Sequence, residues 1–175
     1  MKVTLFLILS LNILSLRCQN SELTELINYI YDDILLEKEQ YFVLDKSICY
    51  SIEDFELQNY QKRELKIIDP NFPTELITQS HTDLKQTDWR NLDLPKTEFK
   101  TKRELTLPDF LKNNKVYYAF SSPIFSKDKK YCIITVSTNY SKRSEDRNYV
   151  MKRENGKWSD ILNFIVKETI TVSNH

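Results

Sequence analysis

The chain has 175 residues, of which 41% are hydrophobic and 29% are charged, and its 25 basic residues balance its 25 acidic ones. This length suits one domain that buries a core without metal or disulfide support, and the composition is that of a globular protein. The chain lacks the basic excess that phosphate neutralisation requires, so we expect no nucleic-acid partner.

The sequence contains a single glycine, Gly156. Loops that bind phosphates need several glycines, because only a residue without Cβ lets the backbone bend tightly against a pyrophosphate. A dinucleotide-binding fingerprint, a Walker A loop, a kinase glycine loop and a G-x-S-x-G nucleophile elbow are therefore excluded. Their exclusion also excludes most nucleotide-dependent enzymes and the α/β-hydrolases, and we expect no cofactor.

A mostly apolar stretch from Val3 to Leu16 follows the charged Lys2 at the start of the chain. This order is typical of an export signal, and the stretch is shorter than the roughly 20 residues that a membrane-spanning helix needs. We therefore divide the chain into a signal peptide or lipoprotein leader, residues 1–18, and a single α+β domain, residues 19–175. The expected location of that domain is outside the cytoplasm.

Cys18 stands where the apolar stretch ends and resembles the acceptor cysteine of bacterial lipoproteins. That resemblance implies a diacylated thiol that holds the new N-terminus at a membrane. The residue before such a cysteine is normally small, whereas here it is Arg17. Cleavage after Cys18 would instead release a soluble protein that begins at Gln19. A lipid anchor at Cys18 is the one membrane contact that we expect.

The domain begins with a predicted amphipathic helix from Ser21. Its apolar residues recur at helical spacing, and they are Leu23, Leu26, Ile27, Ile30, Ile34 and Leu35. Residues 41–57 indicate one or two short strands. Between residues 58 and 112, four prolines and sparse apolar residues predict short helices and turns that wrap the core.

The C-terminal third is rich in β-branched and aromatic residues, which favour strands. Residues 116–125 and 131–140 are the first two predicted strands, with a hairpin loop between them. We expect an antiparallel meander of four or five strands with the N-terminal helix packed on it, which is an α+β fold. The alternative is an NTF2-like cone, whose last hairpin often ends in a similar Gly-Lys-Trp sequence.

Asn155-Gly156 is the preferred dipeptide of a two-residue type I′ hairpin turn. The register of such a hairpin places Arg153 opposite Trp158 and Val150 opposite Ile161. In that position the guanidinium can stack on the indole ring.

Two segments of this region carry a family resemblance. They are FSSPIFSKDKKY, from Phe120 to Tyr131, and KRENGKW, from Lys152 to Trp158. With them the chain resembles a family of uncharacterised exported proteins and lipoproteins of Bacteroidota, over the C-terminal third and the leader. The resemblance implies a location outside the cytoplasm and a type of fold, but no catalysed reaction.

Few residues suit catalysis or metal binding. The only histidines are His81 and His175, and neither has a cysteine or histidine at a zinc-ligand spacing, so we expect no metal and name no catalytic residue. Cys49 and Cys132 lie in apolar segments, which makes them buried free thiols or, in an oxidising compartment, a disulfide.

The aromatic residues are the candidates for binding, because such side chains carry much of the energy at interfaces. They are Trp89, Tyr117, Tyr118, Tyr140 and Trp158. Together with export and the lack of a catalytic motif, they favour a non-enzymatic envelope or secreted module that binds a protein or a small molecule. The alternatives are an exported carboxylate-dependent hydrolase and an immunity or inhibitor protein.

The state of the N-terminus separates the two interpretations of Cys18. If it is the lipid acceptor, mass spectrometry of the mature protein will show a chain that begins at Cys18 and carries the mass of acyl chains. An unmodified chain that begins at Gln19 would rule out the anchor and leave free secretion.

Overall fold

The computed structural model describes residues 21–35, 39–48, 59–72, 74, 78, 86–107, 109–110, 113, 116–140 and 143–170. Several residues with predicted roles lie outside these ranges. They are the leader with Cys18, and Cys49, His81 and His175.

The helices in the described ranges are short. They are α1 (residues 21–29, continued by a π-helical turn at Ile30–Ile34), α2 (Asn59–Ile68), a 3-10 turn (Trp89–Asn91) and α3 (Lys102–Leu105). The strands are β1 (Tyr41–Leu44), β2 (Thr97–Lys100), β3 (Tyr117–Phe120), β4 (Ile124–Phe125), β5 (Tyr131–Asn139), β6 (Arg143–Glu154) and β7 (Lys157–Ile170). Within the described residues, no helix combines the length and apolar character needed to cross a membrane.

All seven strands belong to one mixed sheet in the order β2-β1-β3-β5-β6-β7, with β4 also paired to β5. Strand β1 runs parallel to both β2 and β3, and the other pairs are antiparallel. The α+β class and the C-terminal meander are confirmed. The sheet is larger than the four or five strands predicted, because β1 and β2 extend it.

Strand β2 corrects the prediction that residues 58–112 form only short helices and turns. It lies beside β1 in parallel, with Thr97 next to Tyr41 and Phe99 next to Val43. Its four residues include a single apolar side chain, so the local sequence carries almost no alternating pattern. A parallel partner also lies far away along the chain, and no local periodicity reveals it.

Helix α1 covers one face of the sheet, as its apolar spacing predicts. Leu26, Ile27 and Ile30 are completely buried there, and each contributes about 1.5–3 kcal/mol through burial. The π-helical turn brings the Tyr31 ring parallel to the Tyr41 ring, with centroids 4.0 Å apart, and the Tyr41 hydroxyl donates to the Tyr31 carbonyl oxygen over 3.2 Å. We call this cluster the first core. Its strand members include Val43, Tyr118, Phe120, Cys132, Ile134, Val136 and Met151.

Helix α2 and the residues after it cover the opposite face. Leu65 and Phe72 pack there against Ile133 and Val150, and together with Ile124 and Phe164 they form the second core. Successive side chains of a strand point to opposite faces, so β5 and β6 contribute to both cores in turn. The sheet therefore lies between two helical layers along part of its width.

The predicted strand 116–125 is wrong as a single element, because the structure divides it into β3 and β4. The pairing with β5 shifts by one residue between the two pieces. Phe120 consequently belongs to the first core and Ile124 to the second. Pro123 lies at the break, where its missing N–H costs no ladder bond.

The predicted hairpin turn between β6 and β7 is confirmed. Asn155 and Gly156 have φ values of 51° and 79°, as a type I′ turn requires. Arg153 lies opposite Trp158, and its guanidinium carbon is 5.7 Å from the centre of the Trp158 rings.

The register beyond the turn differs from the prediction. Val150 pairs with Leu162 rather than with Ile161, because the pairing shifts by one residue after Met151. The extra residue is a β-bulge, which leaves Ile161 40% exposed and turns Leu162 toward the second core. A two-residue turn sets the register only as far as the first bulge.

Replacing Gly156 by Ala tests the demand that the turn makes on the backbone. No atom lies within 4 Å of a Cβ at this position, so the cost comes from the positive φ alone. We expect Gly156→Ala to lower the free energy of unfolding by about 1–2 kcal/mol in urea titrations. Gly156→Asn is the control, because Asn tolerates this conformation and loses less. Equal losses from the two variants would contradict this account of the turn.

Candidate functional site

The five aromatic binding candidates do not share one surface. Trp89, Tyr118 and Trp158 are buried members of the first core, and Trp89 is fully buried. Tyr140 is 49% exposed, close to Tyr118. Tyr117 directly precedes Tyr118 in β3, so its side chain points to the opposite face of the sheet. Most of this aromatic set therefore stabilises the fold.

Tyr117 borders a concavity on that face of the sheet. It is one wall of a cavity of about 410 Å³ that lies between the sheet and α3, which we call the α3 cavity. Its lining residues are Leu44, Ser47, Ile48, Gln86, Lys102, Leu105, Tyr117, Ala119, Ser137 and Asn139. A volume of this size falls in the range of about 300–1,000 Å³ that is usual for small-molecule sites.

The floor of the α3 cavity is formed by adjacent strands. On β3 and β5, Tyr117 lies opposite Asn139 and Ala119 lies opposite Ser137, so all four side chains share one face. Leu44 of β1 extends this floor. The small side chain of Ala119 leaves the space that a larger residue would fill.

Helix α3 forms the lip of the cavity and is held by a capping box. The Thr101 hydroxyl accepts from the Glu104 N–H over 3.3 Å, while the Glu104 carboxylate accepts from the Thr101 N–H over 2.8 Å and from its hydroxyl over 2.7 Å. These bonds hold the pKa of Glu104 below its usual value. The helix thereby places Lys102 and Leu105 over the cavity.

A hydrogen-bonded group closes one end of the cavity. The Ser47 hydroxyl oxygen accepts from the Thr87 N–H over 2.8 Å and from the Ser122 hydroxyl over 2.9 Å. The side-chain amide of Gln86 donates to the Ser47 carbonyl oxygen over 3.2 Å. Ser47 is buried, and because its hydroxyl oxygen accepts both of these bonds, its own hydroxyl hydrogen remains to be donated.

The described lining of the cavity carries one charge. Lys102 is the single ionised side chain in the described lining, and its ammonium group has no ion pair with any described residue. Burial, together with the nearby Asp146 carboxylate, raises the pKa of Tyr117, so its phenol stays protonated at neutral pH. The Ser137 hydroxyl accepts from the Asn139 amide over 3.0 Å and keeps its own hydrogen to donate.

A second concavity, the α1 pocket, lies between α1 and the turn from β6 to β7. It measures about 380 Å³, and its lining residues are Glu25, Asn28, Tyr29, Asp33, Gly156, Lys157 and Trp158. Arg153 closes one side by donating to Glu22 over 3.1 Å and to Glu25 over 2.7 Å. The Trp158 indole N–H and the Asn28 side-chain oxygen have no hydrogen-bond partner. Of the charged residues that line this pocket, Glu25 is already paired with Arg153.

The Cys132 thiol has no disulfide partner among the described residues and is fully buried, and that burial raises its pKa well above the usual value. A protonated buried thiol is a poor nucleophile. Its pairing with Cys49 stays a prediction, because Cys49 lies outside the described residues. Among the residues that are described, no three His, Cys, Asp or Glu side chains come together as metal ligands.

Of the residues that line the α3 cavity, only Tyr117 was a predicted binding residue. Two signals were present. Thr101 and Glu104 have the capping-box spacing that marks the start of a helix. On β5, Ser137 and Asn139 continue the face that begins with Ile133, so that face changes from apolar to polar along the strand.

Comparisons with known proteins return no match. No family model matches the chain, and neither a curated protein nor a solved structure does so. The resemblance to exported Bacteroidota proteins and the NTF2-like alternative therefore stay predictions.

Removing the cap of α3 tests how the lip is held. We expect Thr101→Ala to lower the free energy of unfolding by about 1 kcal/mol, because the Glu104 N–H loses its side-chain acceptor. Urea denaturation followed by circular dichroism measures the change. Thr101→Ser keeps the hydroxyl and should stay close to the wild type; a loss as large as that of the Ala variant would assign the effect to packing of the methyl group.

Proposed function

We propose that the protein is a non-enzymatic binding module of the cell envelope or the secreted fraction, and that the α3 cavity is its ligand site. The observation that carries the proposal is the cavity itself: a volume of about 410 Å³ whose lining combines apolar side chains with a few polar groups. This combination is the usual composition of a small-molecule site. Export of the module rests on the apolar leader and on Cys18.

The rigidity of the floor supports the same proposal. Strands β3 and β5 form four consecutive antiparallel pairs beneath the cavity. Their opposite face is buried in the first core, where Tyr118, Phe120 and Val136 pack under α1. A site built on such a scaffold needs little rearrangement to receive a ligand, which reduces the entropy lost on binding.

The carboxylate-dependent hydrolase receives less support. Such an enzyme uses two carboxyl groups about 5–9.5 Å apart. The described lining of the α3 cavity contains no Asp or Glu. In the α1 pocket, Glu25 is already paired with Arg153 over 2.7 Å. Neither concavity offers two available carboxylates with distinct acid and base roles.

The immunity or inhibitor alternative has one feature in its favour. Strand β7 is fourteen residues long and ends the described sheet, with Ile161 and Ile165 exposed at 40% and 46%. Exposed edge strands recruit partner chains through backbone hydrogen bonds. Two bulges interrupt the pairing of this strand with β6 and increase its twist, which opposes extended pairing at the edge.

Fluorescence of the uncharged dye Nile red, titrated with the purified protein, tests the cavity as a binding site. We expect saturable binding to the wild type. Ala119→Val should weaken binding and Ala119→Leu should weaken it at least about tenfold, because the added carbons occupy the floor. The graded pair keeps the test valid if the Leu variant folds poorly, which thermal unfolding reveals.

Tyr140→Ala is the matched control for that titration. Tyr140 is exposed and lies outside the cavity lining, so the variant should bind Nile red as the wild type does. Unchanged binding by both Ala119 variants, or loss of binding in Tyr140→Ala, would overturn the assignment of the site.

A further inference from the structure

We propose that the ligand of the α3 cavity is a small amphipathic anion, with an acidic head group at Lys102 and a hydrocarbon body against the cavity floor. This inference rests on the proposed function, since it names the chemical class of ligand for the same site. The carboxylate of a short aliphatic or aromatic acid is the head group that the geometry fits.

The charge of the lining selects the sign of the ligand. Lys102 contributes one positive charge, and the described lining contains no carboxylate to cancel it, since Asp146, the carboxylate near Tyr117, lies outside that lining. The contrast with Lys100 of β2 is direct, because Lys100 forms an ion pair with Glu98 over 2.5 Å while Lys102 has no partner among the described residues. An anion bound at Lys102 gains a charge-assisted hydrogen bond without first breaking an ion pair.

Neutral donors reinforce this preference. The phenol of Tyr117 is protonated at neutral pH and makes no hydrogen bond to a described residue. The hydroxyl oxygens of Ser47 and Ser137 each accept from neighbouring groups, so their own hydrogens remain to be donated. A carboxylate accepts several such bonds, whereas an ammonium group accepts none.

The apolar residues define the remainder of the ligand. Leu44, Ile48, Leu105 and Ala119 line the same cavity, and Leu105 and Ala119 are buried. A small inorganic anion would leave this surface unfilled. A hydrocarbon chain that covers it gains about 25 cal/mol for each Å² of apolar area removed from water.

The single positive charge of the lining also limits the charge that the ligand's head group can carry. A phosphate monoester carries about two negative charges, and phosphate and sulfate monoesters both present acceptor oxygens on every side. Such head groups favour several cations or a row of backbone N–H groups. The described lining offers one cation and dispersed hydroxyl and amide groups. A singly charged planar acid is therefore the better match.

Displacement of Nile red by three compounds of equal chain length tests the class of ligand. The compounds are octanoate, octanol and octylamine, which differ in the charge of the head group. With the wild-type protein, we expect octanoate to displace the dye at a concentration about tenfold lower than octanol requires, and octylamine to be the weakest. Lys102→Gln should remove the advantage of octanoate over octanol and leave the affinity for octanol unchanged.

Arg103→Gln is the matched control, because Arg103 is the exposed neighbour of Lys102 in α3 and does not line the cavity. It should preserve the advantage of octanoate. Equal displacement by octanoate and octanol in the wild type, or an advantage that survives Lys102→Gln, would overturn the anion proposal and leave the binding site intact. Absence of saturable binding for both Nile red and octanoate would overturn the site itself, and the anion proposal with it.

Discussion

Strand β5 buries side chains on both of its faces, and both cores of the structure are built on it. The even-numbered positions from Cys132 to Val136 face α1, and Ile133 faces α2. The second face then changes character at Thr135, whose hydroxyl donates to the Asn148 side chain over 2.6 Å. Beyond this buried polar pair comes Ser137, where the second core has ended and the α3 cavity has begun. One strand thus sets the positions of two cores and a cavity.

The floor of the α3 cavity is held more firmly than its lip. The floor is shared by strands that also support the first core, whereas the lip is a helix of four residues. So short a helix does not persist without outside support. Its support is the capping box between Thr101 and Glu104, together with the burial of Leu105. Opening the lip therefore disturbs few contacts, while opening the floor would expose a core.

Sequence information was sufficient where the determinants of structure are local. Helix α1 follows from the spacing of Leu26, Ile27 and Ile30, and the last hairpin follows from Asn155-Gly156. Strand β2 escaped prediction because its parallel partner is distant in the chain. The α3 cavity is formed by strands that pair across long distances in the chain and by α3 between them. Only Tyr117 among its residues could therefore be predicted, and it was predicted for its aromatic side chain alone.

The groups that line the α3 cavity bear on the non-enzymatic function that we propose for it. Catalysis requires groups that stabilise the transition state more than the substrate, commonly a base that accepts a proton during the reaction. Within the described lining, Lys102 is cationic, and the raised pKa of Tyr117 keeps its phenol protonated. Both groups match the anionic ligand that we propose for the cavity, and the phenol of Tyr117 already carries its proton.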